Sequence, residues 1–200
     1  YKALQMDTEV SDVQVVLGQQ QVVRVNNQTG STISRGSVVY INGVQGQRPT
    51  IALADADIEI QADSTIGIVL ADISDSGNGY VATSGLAREL DTSAFSVGDH
   101  VFLSQTPGEI TNVKPAPPAH AIFLGIVTVS NATTGTIELN IDIGEDLKDC
   151  HDVNLGTLSD GDILYYNASS TLWENTSSPV LEGIALFARN DSFYIHRPYD

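Results

Sequence analysis

Three adjacent residues, Cys150, His151 and Asp152, have the side chains of a thiol nucleophile, its base and an orienting acid. A nucleophile and its base must face each other within hydrogen-bonding distance. Adjacent side chains point to opposite faces of a strand and diverge in a turn, so these three residues cannot form that relay. We interpret them as a turn that connects two parts of the chain, and we predict that the protein is not an enzyme.

Metal-binding patterns are equally weak. The four histidines, at positions 100, 120, 151 and 196, do not have the spacing of a zinc site, and only a site assembled across strands or chains could use them. Asp72, Ser74 and Ser76 resemble the first half of a calcium loop, but Thr83 stands where such a loop needs a bidentate Glu. We interpret this stretch as an acidic hairpin tip and predict no metal site and no cofactor.

Aromatic side chains concentrate near the end of the chain. A segment of about 50 residues is too short to bury them in a core of its own. We therefore predict that they pack against copies of the same chain, in an assembly interface formed by Tyr165, Tyr166, Trp173, Phe187, Phe193 and Tyr194. The alternatives are docking onto the rest of the chain and a carbohydrate platform, because sugar faces stack on Trp and Tyr.

The elements that would position these residues are β-strands. Runs rich in Val, Ile and Thr recur every ten to fifteen residues and are separated by Gly, Asn, Asp and Ser, as in Asn26-Asn-Gln-Thr-Gly30 and Asn131-Ala-Thr-Thr-Gly135. This spacing is typical of a β-sandwich or barrel, and Asn and Gly favour tight reversals. We predict an all-β fold with a sandwich or barrel-like main domain over residues 1–150 and a C-terminal β-hairpin segment over residues 151–200.

A glycine-based motif occurs three times along the chain. Gly36-Ser-Val-Val-Tyr-Ile-Asn42, Gly98-Asp-His-Val-Phe-Leu-Ser104 and Gly161-Asp-Ile-Leu-Tyr-Tyr-Asn167 share a glycine, an aliphatic and an aromatic residue at fixed positions. Thr65-Ile-Gly-Ile-Val, Phe123-Leu-Gly-Ile-Val and Leu181-Glu-Gly-Ile-Ala follow them in the same order. We interpret the first two copies as a candidate duplication and the third as a coincidental match.

Charge and composition limit the partners. The chain of 200 residues has nine Lys and Arg against 25 Asp and Glu, a formal net charge of -16. Its field repels phosphate backbones and anionic membranes, so we expect neither nucleic acid nor membrane as a partner. No apolar run approaches the roughly 20 residues that span a bilayer, and a single Cys excludes an internal disulfide.

Several stretches together resemble a domain found in structural proteins of tailed bacteriophages. They include Asn27-Gln-Thr-Gly30 and the residues that follow to Ala54, Gly79-Tyr-Val-Ala-Thr-Ser-Gly-Leu86, Lys114-Pro-Ala-Pro-Pro118 and His151-Asp-Val153, and the resemblance covers most of residues 20–153. Gly161-Asp-Ile-Leu-Tyr-Tyr-Asn167 and its continuation to Asn175 are similar to a short hairpin of phage tail fibre proteins. Cys150 departs from the pattern, where an apolar residue is more usual.

The resemblance implies a virion part without catalysis. We expect an acidic homotrimeric tail fibre module that contacts other phage virion proteins, with a host surface glycan as a further partner. It would be assembled in the bacterial cytoplasm and located on the surface of the phage particle. The alternatives are a capsid decoration (cement) protein and a glycan-binding or glycan-cleaving adhesin, and the position of the chain in an imaged particle discriminates between the first two.

Overall fold

The computed structural model describes residues 5–8, 13–144, 146–177, 185–189 and 192–196; for Asp149 and for the last two ranges it describes the backbone alone. The all-β prediction is confirmed, with 49% of residues in strands and 4% in helices. The chain divides into two units, unit 1 (Tyr1–Gly144) and unit 2 (Glu145–Asp200). The boundary between residues 150 and 151 stays a prediction, and each unit is described by itself.

Unit 1 is built from strands and one short helix. In the described part of this unit, the strands are β1 (Gln5–Asp7), β2 (Gln14–Val16), β3 (Gln20–Asn27), β4 (Val38–Gln45), β5 (Arg48–Leu53), β6 (Thr65–Val69), β7 (Asn78–Leu90), β8 (His100–Leu103), β9 (Ile110–Thr111), β10 (Phe123–Val129) and β11 (Gly135–Asp142). The helix α1 (Glu59–Asp63) lies between β5 and β6. Turn-forming residues separate most of these strands, as the sequence predicts.

Five strands close into a ring. The main sheet has the order β3-β5-β4-β6-β7-β11-β10-β8-β9, and β3 also pairs with β7. This extra pairing joins the two ends of the β3-β5-β4-β6-β7 part and makes it a small barrel. Each of the five strands contributes one buried residue to a shared apolar cluster, namely Val25, Ile51, Val39, Val69 and Val81, and Ile33 and Ile73 from the connecting loops complete it.

A second apolar cluster lies on the opposite face of the same strands. It contains Val38, Ile68 and Ala82, each of which is adjacent in sequence to a residue of the barrel cluster. These three side chains pack with side chains from β8, β10 and β11. Successive side chains of a strand point to opposite faces, so β4, β6 and β7 are buried on both sides. This explains their continuous apolar runs and gives the unit its sandwich-like layering.

The candidate duplication is visible in the structure. Gly36 and Gly98 both have a positive φ, of 86° and 91°, and each opens a strand. The N–H of Gly36 donates to the carbonyl of Val69, and that of Gly98 donates to the carbonyl of Val127, both at 2.8 Å. The strands β4, β6 and β7 therefore have counterparts in β8, β10 and β11.

The second pair of glycines lies where two strands approach closely. A Cβ at Gly67 would lie 1.9 Å from the carbonyl oxygen of Ala82, and a Cβ at Gly125 would lie 2.0 Å from that of Glu138. Only glycine fits so near a neighbouring backbone. A third pair, Gly79 and Gly135, which the sequence analysis missed, is also too crowded for a Cβ.

Unit 2 contains a three-stranded sheet and a separate hairpin. Its described elements are a 3-10 helix (Leu147–Asp149), β12 (Val153–Asn154), β13 (Ile163–Asn167), β14 (Leu172–Thr176), β15 (Ala185–Arg189) and β16 (Ser192–His196). β14 lies between β12, to which it is parallel, and β13, to which it is antiparallel. The expected hairpin is present as β13 and β14, and β15 pairs antiparallel with β16.

The third glycine motif folds like the first. Gly161 has a φ of 84° and opens β13, as Gly36 opens β4. The order β12-β14-β13, with its one parallel pairing, repeats the order β3-β5-β4. The third copy therefore shares the local topology of the first, and its interpretation as a coincidental match stays a prediction. The closed barrel of unit 1 needs strands that the described part of unit 2 does not have.

Candidate functional site

The three-stranded sheet of unit 2 has two different faces. Tyr166 pairs with Trp173, which also pairs with Val153, and Leu164 pairs with Asn175. Residues that pair across strands point to the same side, so these five side chains form one face, which we name the aromatic face. The other face, which we name the network face, consists of Asn154, Ile163, Tyr165, Asn167, Leu172, Glu174 and Thr176.

The aromatic face is mainly apolar and open; its amide side chain, Asn175, donates a hydrogen bond to the carboxylate of Asp162 at 2.7 Å. The rings of Tyr166 and Trp173 meet edge to face, with centroids 5.6 Å apart and an interplanar angle of 64°. This geometry is favourable for an aromatic pair. Nevertheless 52% of Tyr166, 40% of Trp173 and 41% of Leu164 stay exposed. These fractions show that the large apolar side chains of this face are only half covered.

The small sheet also lacks a core of its own. Of the described residues 146–177, none is buried, leaving aside Asp149, whose side chain is not described. Sheets of so few strands need an apolar face packed against another element for stability. The aromatic face is the apolar surface that such packing would cover.

Glu174 organises the network face. Its carboxylate accepts hydrogen bonds from Tyr165 Oη at 3.1 Å, Asn167 Nδ2 at 2.9 Å and Ser170 Oγ at 2.7 Å. The bonds from Asn167 and Ser170 hold the pKa of Glu174 below its ordinary value, and the bond to Glu174 raises the pKa of Tyr165. The hydrogen bonds of this carboxylate, which favour its ionised form, tie β13 to β14.

The predicted interface residues are divided by this geometry. Tyr166 and Trp173 lie together on the aromatic face, whereas Tyr165 lies on the network face. Phe187 pairs with Tyr194 and Ala188 pairs with Phe193 on the β15–β16 hairpin, but the side chains of these residues lie outside the described part of the chain. The sequence analysis missed Val153 and Leu164, and the period-two alternation of a strand is the signal that places Leu164 beside Tyr166.

The residues that the sequence analysis weighed as a catalytic relay and as a calcium loop have structural roles, in the case of Cys150 and Asp152 through their backbone. The carbonyl of Cys150 accepts a hydrogen bond from the N–H of Val153, and the carbonyl of Asp152 accepts one from the N–H of Trp173. These bonds form the turn that aligns β12 with β14. Asp72 Oδ1 accepts the backbone N–H of Arg35, and Asp75 Oδ1 accepts that of Gly30, both at 2.8 Å. The acidic loop therefore connects neighbouring loops, and within the described residues no three His, Cys, Asp or Glu side chains converge as metal ligands.

No protein-family model and no curated protein matches the chain. The helices that the structure describes are all too short or too polar to cross a membrane. The argument for a function therefore depends on the geometry of the described residues and on the resemblance noted in the sequence.

Proposed function

We propose that the chain is a structural component of a tailed-phage virion, a tail fibre module that assembles as a homotrimer through the aromatic face of unit 2. The observation that carries this proposal is the uncharged, half-exposed pair of Tyr166 and Trp173 on a sheet without a buried residue in its described part. The resemblance of residues 20–153 and 161–175 to phage structural proteins supports the assignment of this assembly to a phage tail fibre.

The occupant of the aromatic face is a second copy of the same chain. Copies with a net charge of -16 repel one another over most of their surfaces. The five side chains of the aromatic face carry no charge, and the one carboxylate hydrogen-bonded to them is that of Asp162, which accepts from Asn175, so copies that meet there bring few like charges together. Burying a large aromatic or aliphatic side chain contributes about 1.5–3 kcal/mol, which several residues per chain would multiply.

The proposed assembly has closed rotational symmetry. A rotational assembly brings the same residues of each chain to one axis and leaves no unpaired face, unlike an open filament. A trimer of this kind suits a fibre, in which three copies run side by side. Other virion proteins would then contact the ends of the trimer, on the surface of a particle assembled in the bacterial cytoplasm.

This proposal assigns no catalytic step and no cofactor to the chain. Titratable residues whose pKa values depart from the ordinary range, such as Asp91 and Asp99, owe this to local hydrogen bonds, from Ser93 and from the backbone of Ser96 respectively. Both carboxyls are lowered in pKa and stay ionised, so neither is poised as a proton donor. Hydrolysis of a host polysaccharide by the purified chain, abolished by one acidic substitution, would contradict this part of the proposal.

The test of the assignment is the position of the chain in an intact particle. We expect threefold density for the barrel and the small sheet in a tail appendage when purified particles are imaged by cryo-electron microscopy. Density on the outer surface of the capsid would replace the fibre assignment by the capsid decoration alternative. Absence of the chain from purified particles would refute a virion role altogether.

A further inference from the structure

The strand β13 has an open edge. It lies at one end of the order β12-β14-β13, and within the described residues no strand pairs with its other side. The N–H of Trp173 donates to the carbonyl of Asp152, so the backbone of Trp173 faces β12. Tyr166 pairs with Trp173, and antiparallel partners either both face each other or both face away. The N–H and C=O groups of Tyr166 and, two residues earlier, of Leu164 therefore point to the open edge.

This edge has none of the usual protection against pairing. Natural edge strands are commonly very short, charged, interrupted by proline or bent by a bulge. β13 has five residues, none of them charged or proline, and its register with β14 is continuous. By contrast, β9 and β12, which also end their sheets, have only two residues each. A regular, uncharged edge of this length is a template for a further β-strand.

The edge of β13 has occupied counterparts in unit 1. β4 lies between β5 and β6, and β8 lies between β9 and β10. The third residue after the opening glycine pairs with a second glycine in both cases, Val39 with Gly67 and Val101 with Gly125. Leu164 has the same position in β13. Since β14 lies beside β13 as β5 lies beside β4, the open edge corresponds to the sites that β6 and β10 occupy.

Two side-chain hydrogen bonds are common to the turns before β8 and β13. Asp99 and Asp162 each follow the opening glycine, and each accepts the backbone N–H of the Ser three residues earlier at 3.0 Å. Each also accepts from an Asn side chain thirteen residues further along the chain, Asn112 at 3.0 Å and Asn175 at 2.7 Å. We therefore treat the third copy of the glycine motif here as a repeat of the second rather than as a coincidental match.

The sequence identifies the strand that fits this edge. Gly67 and Gly125 belong to Thr65-Ile-Gly-Ile-Val and Phe123-Leu-Gly-Ile-Val, and the third copy of this motif is Leu181-Glu-Gly-Ile-Ala. Of this third copy, only the backbone of Ala185 lies within the described residues. In unit 1 the chain crosses over β4 from β5 to β6 and over β8 from β9 to β10, in both cases with eleven residues. Only four residues lie between the end of β14 and Leu181.

Four residues are too few for the same crossover. Fully extended, they and the bonds that flank them reach about 17 Å. The path over β13 needs about 10 Å sideways, which is two strand spacings, and about 5 Å up and again down past its side chains, about 20 Å in total. The chain therefore cannot bring this segment to the far edge of its own β13 in the way that unit 1 does.

From these features we infer that the open edge of β13 receives the Leu181-Glu-Gly-Ile-Ala segment of a neighbouring copy, with Gly183 opposite Leu164. The exchange rests on the proposed homotrimer and specifies how its copies are joined. Each copy donates one segment and receives one, so a closed ring leaves no β13 edge unpaired. The backbone hydrogen bonds of this pairing add to the burial of the aromatic face.

Disulfide cross-linking of the full chain tests this exchange. In both repeats of unit 1 the second residue after the opening glycine pairs with the residue that follows the second glycine. The corresponding pair in unit 2 is Ile163 with Ile184. Because the backbone of Ile163 faces β14, this is a non-hydrogen-bonded pair with Cα atoms about 4.5 Å apart, within the range of a disulfide. We expect the Ile163→Cys/Ile184→Cys variant, oxidised in a Cys150→Ser background, to form covalent dimers and trimers that a reductant dissolves.

A matched control tests the register. Tyr165 lies on the same face of β13 as Ile163 but two residues further along, about 7 Å away. The Tyr165→Cys/Ile184→Cys variant should therefore cross-link several-fold less. Equal cross-linking of the two variants would overturn the register. An internal disulfide within single chains of the Ile163 variant, or no disulfide at all, would overturn the exchange.

Hydrogen exchange tests the same edge without any substitution. In the native chain, the outward N–H of Leu164 should exchange at least about hundredfold more slowly than in an unfolded chain, because it donates to the neighbouring copy. Exchange at the unfolded rate would refute the pairing. Light scattering on the native chain separates the two proposals. A trimer without cross-links between copies refutes the exchange and leaves the assembly, whereas a monomer refutes both.

Discussion

Alanine in place of Gly67 or Gly125 should destabilise unit 1 severely and to a similar extent. The added Cβ would lie 1.9 Å from the carbonyl oxygen of Ala82 in the first variant and 2.0 Å from that of Glu138 in the second. Carbon and oxygen approach each other to about 3.3 Å in sheets, so the neighbouring strand must shift by more than about 1 Å. Because the obstacle is backbone within a paired strand, no side chain can rotate to relieve it.

The magnitude follows from the two consequences of that shift. Overpacking costs about 1–3 kcal/mol, and each weakened backbone hydrogen bond of the displaced pair adds about 1 kcal/mol. We therefore expect the free energy of unfolding to fall by about 3–5 kcal/mol. In a domain of this size, this lowers the melting temperature by about 6–20 °C. Gly46→Ala is the matched control, since Gly46 also has a positive φ, of 63°, but no atom lies within 4 Å of its Cβ position. Its expected cost is about 1–2 kcal/mol.

Urea and thermal unfolding of the full chain, followed by circular dichroism, measure these differences. The single tryptophan, Trp173, lies in unit 2, so its fluorescence reports that unit separately. Circular dichroism and Trp173 fluorescence together show whether the loss of stability is confined to unit 1. A Gly67 or Gly125 variant that unfolds within about 1 kcal/mol of the Gly46 variant would refute the close-approach argument. A large difference between Gly67 and Gly125 would refute their equivalence in the duplication.

Three further predictions concern the other parts of the chain. Asn27→Ala should cost about 3 kcal/mol or more in urea unfolding, because the buried amide donates to the carbonyls of Ser31 and Ile73 and accepts from Thr29. The hydrogen bonds that lower the pKa of Glu174 should stabilise the hairpin fully at neutral pH. This stabilisation should be lost as the pH falls through the lowered pKa, below about 4.3. Trp173 fluorescence should show this acid sensitivity in the native chain and not in the Glu174→Gln variant. Replacing Tyr166 and Trp173 together by Ser should abolish self-association in light scattering, whereas Tyr165→Ser, on the network face, should not.

Local patterns in the sequence predicted much of the fold. Turn residues such as Asn26 and Gly30 and the β-branched runs between them indicated strands, and the glycines at positions 36 and 98 indicated the duplication. The closure of the barrel was not predictable in the same way, because it depends on the pairing of β3 with β7. That pairing joins residues such as Val23 and Val81, which are far apart in the sequence. No local period encodes it.

The candidate site was predicted only in part for the same reason. The aromatic composition singled out Tyr165, Tyr166 and Trp173, but their division between two faces follows from the register of β13 and β14. A shift of one residue in register would exchange the faces.

Light scattering on the intact chain and on a version that ends at Asp149 tests the central claim most directly. Each chain has a mass of 21.3 kDa, and we expect the intact protein to have three times that mass. The shortened version retains both apolar clusters of unit 1 but has no aromatic face, so we expect it to be a folded monomer. If both versions are monomers or both are trimers, the assignment of assembly to unit 2 is contradicted.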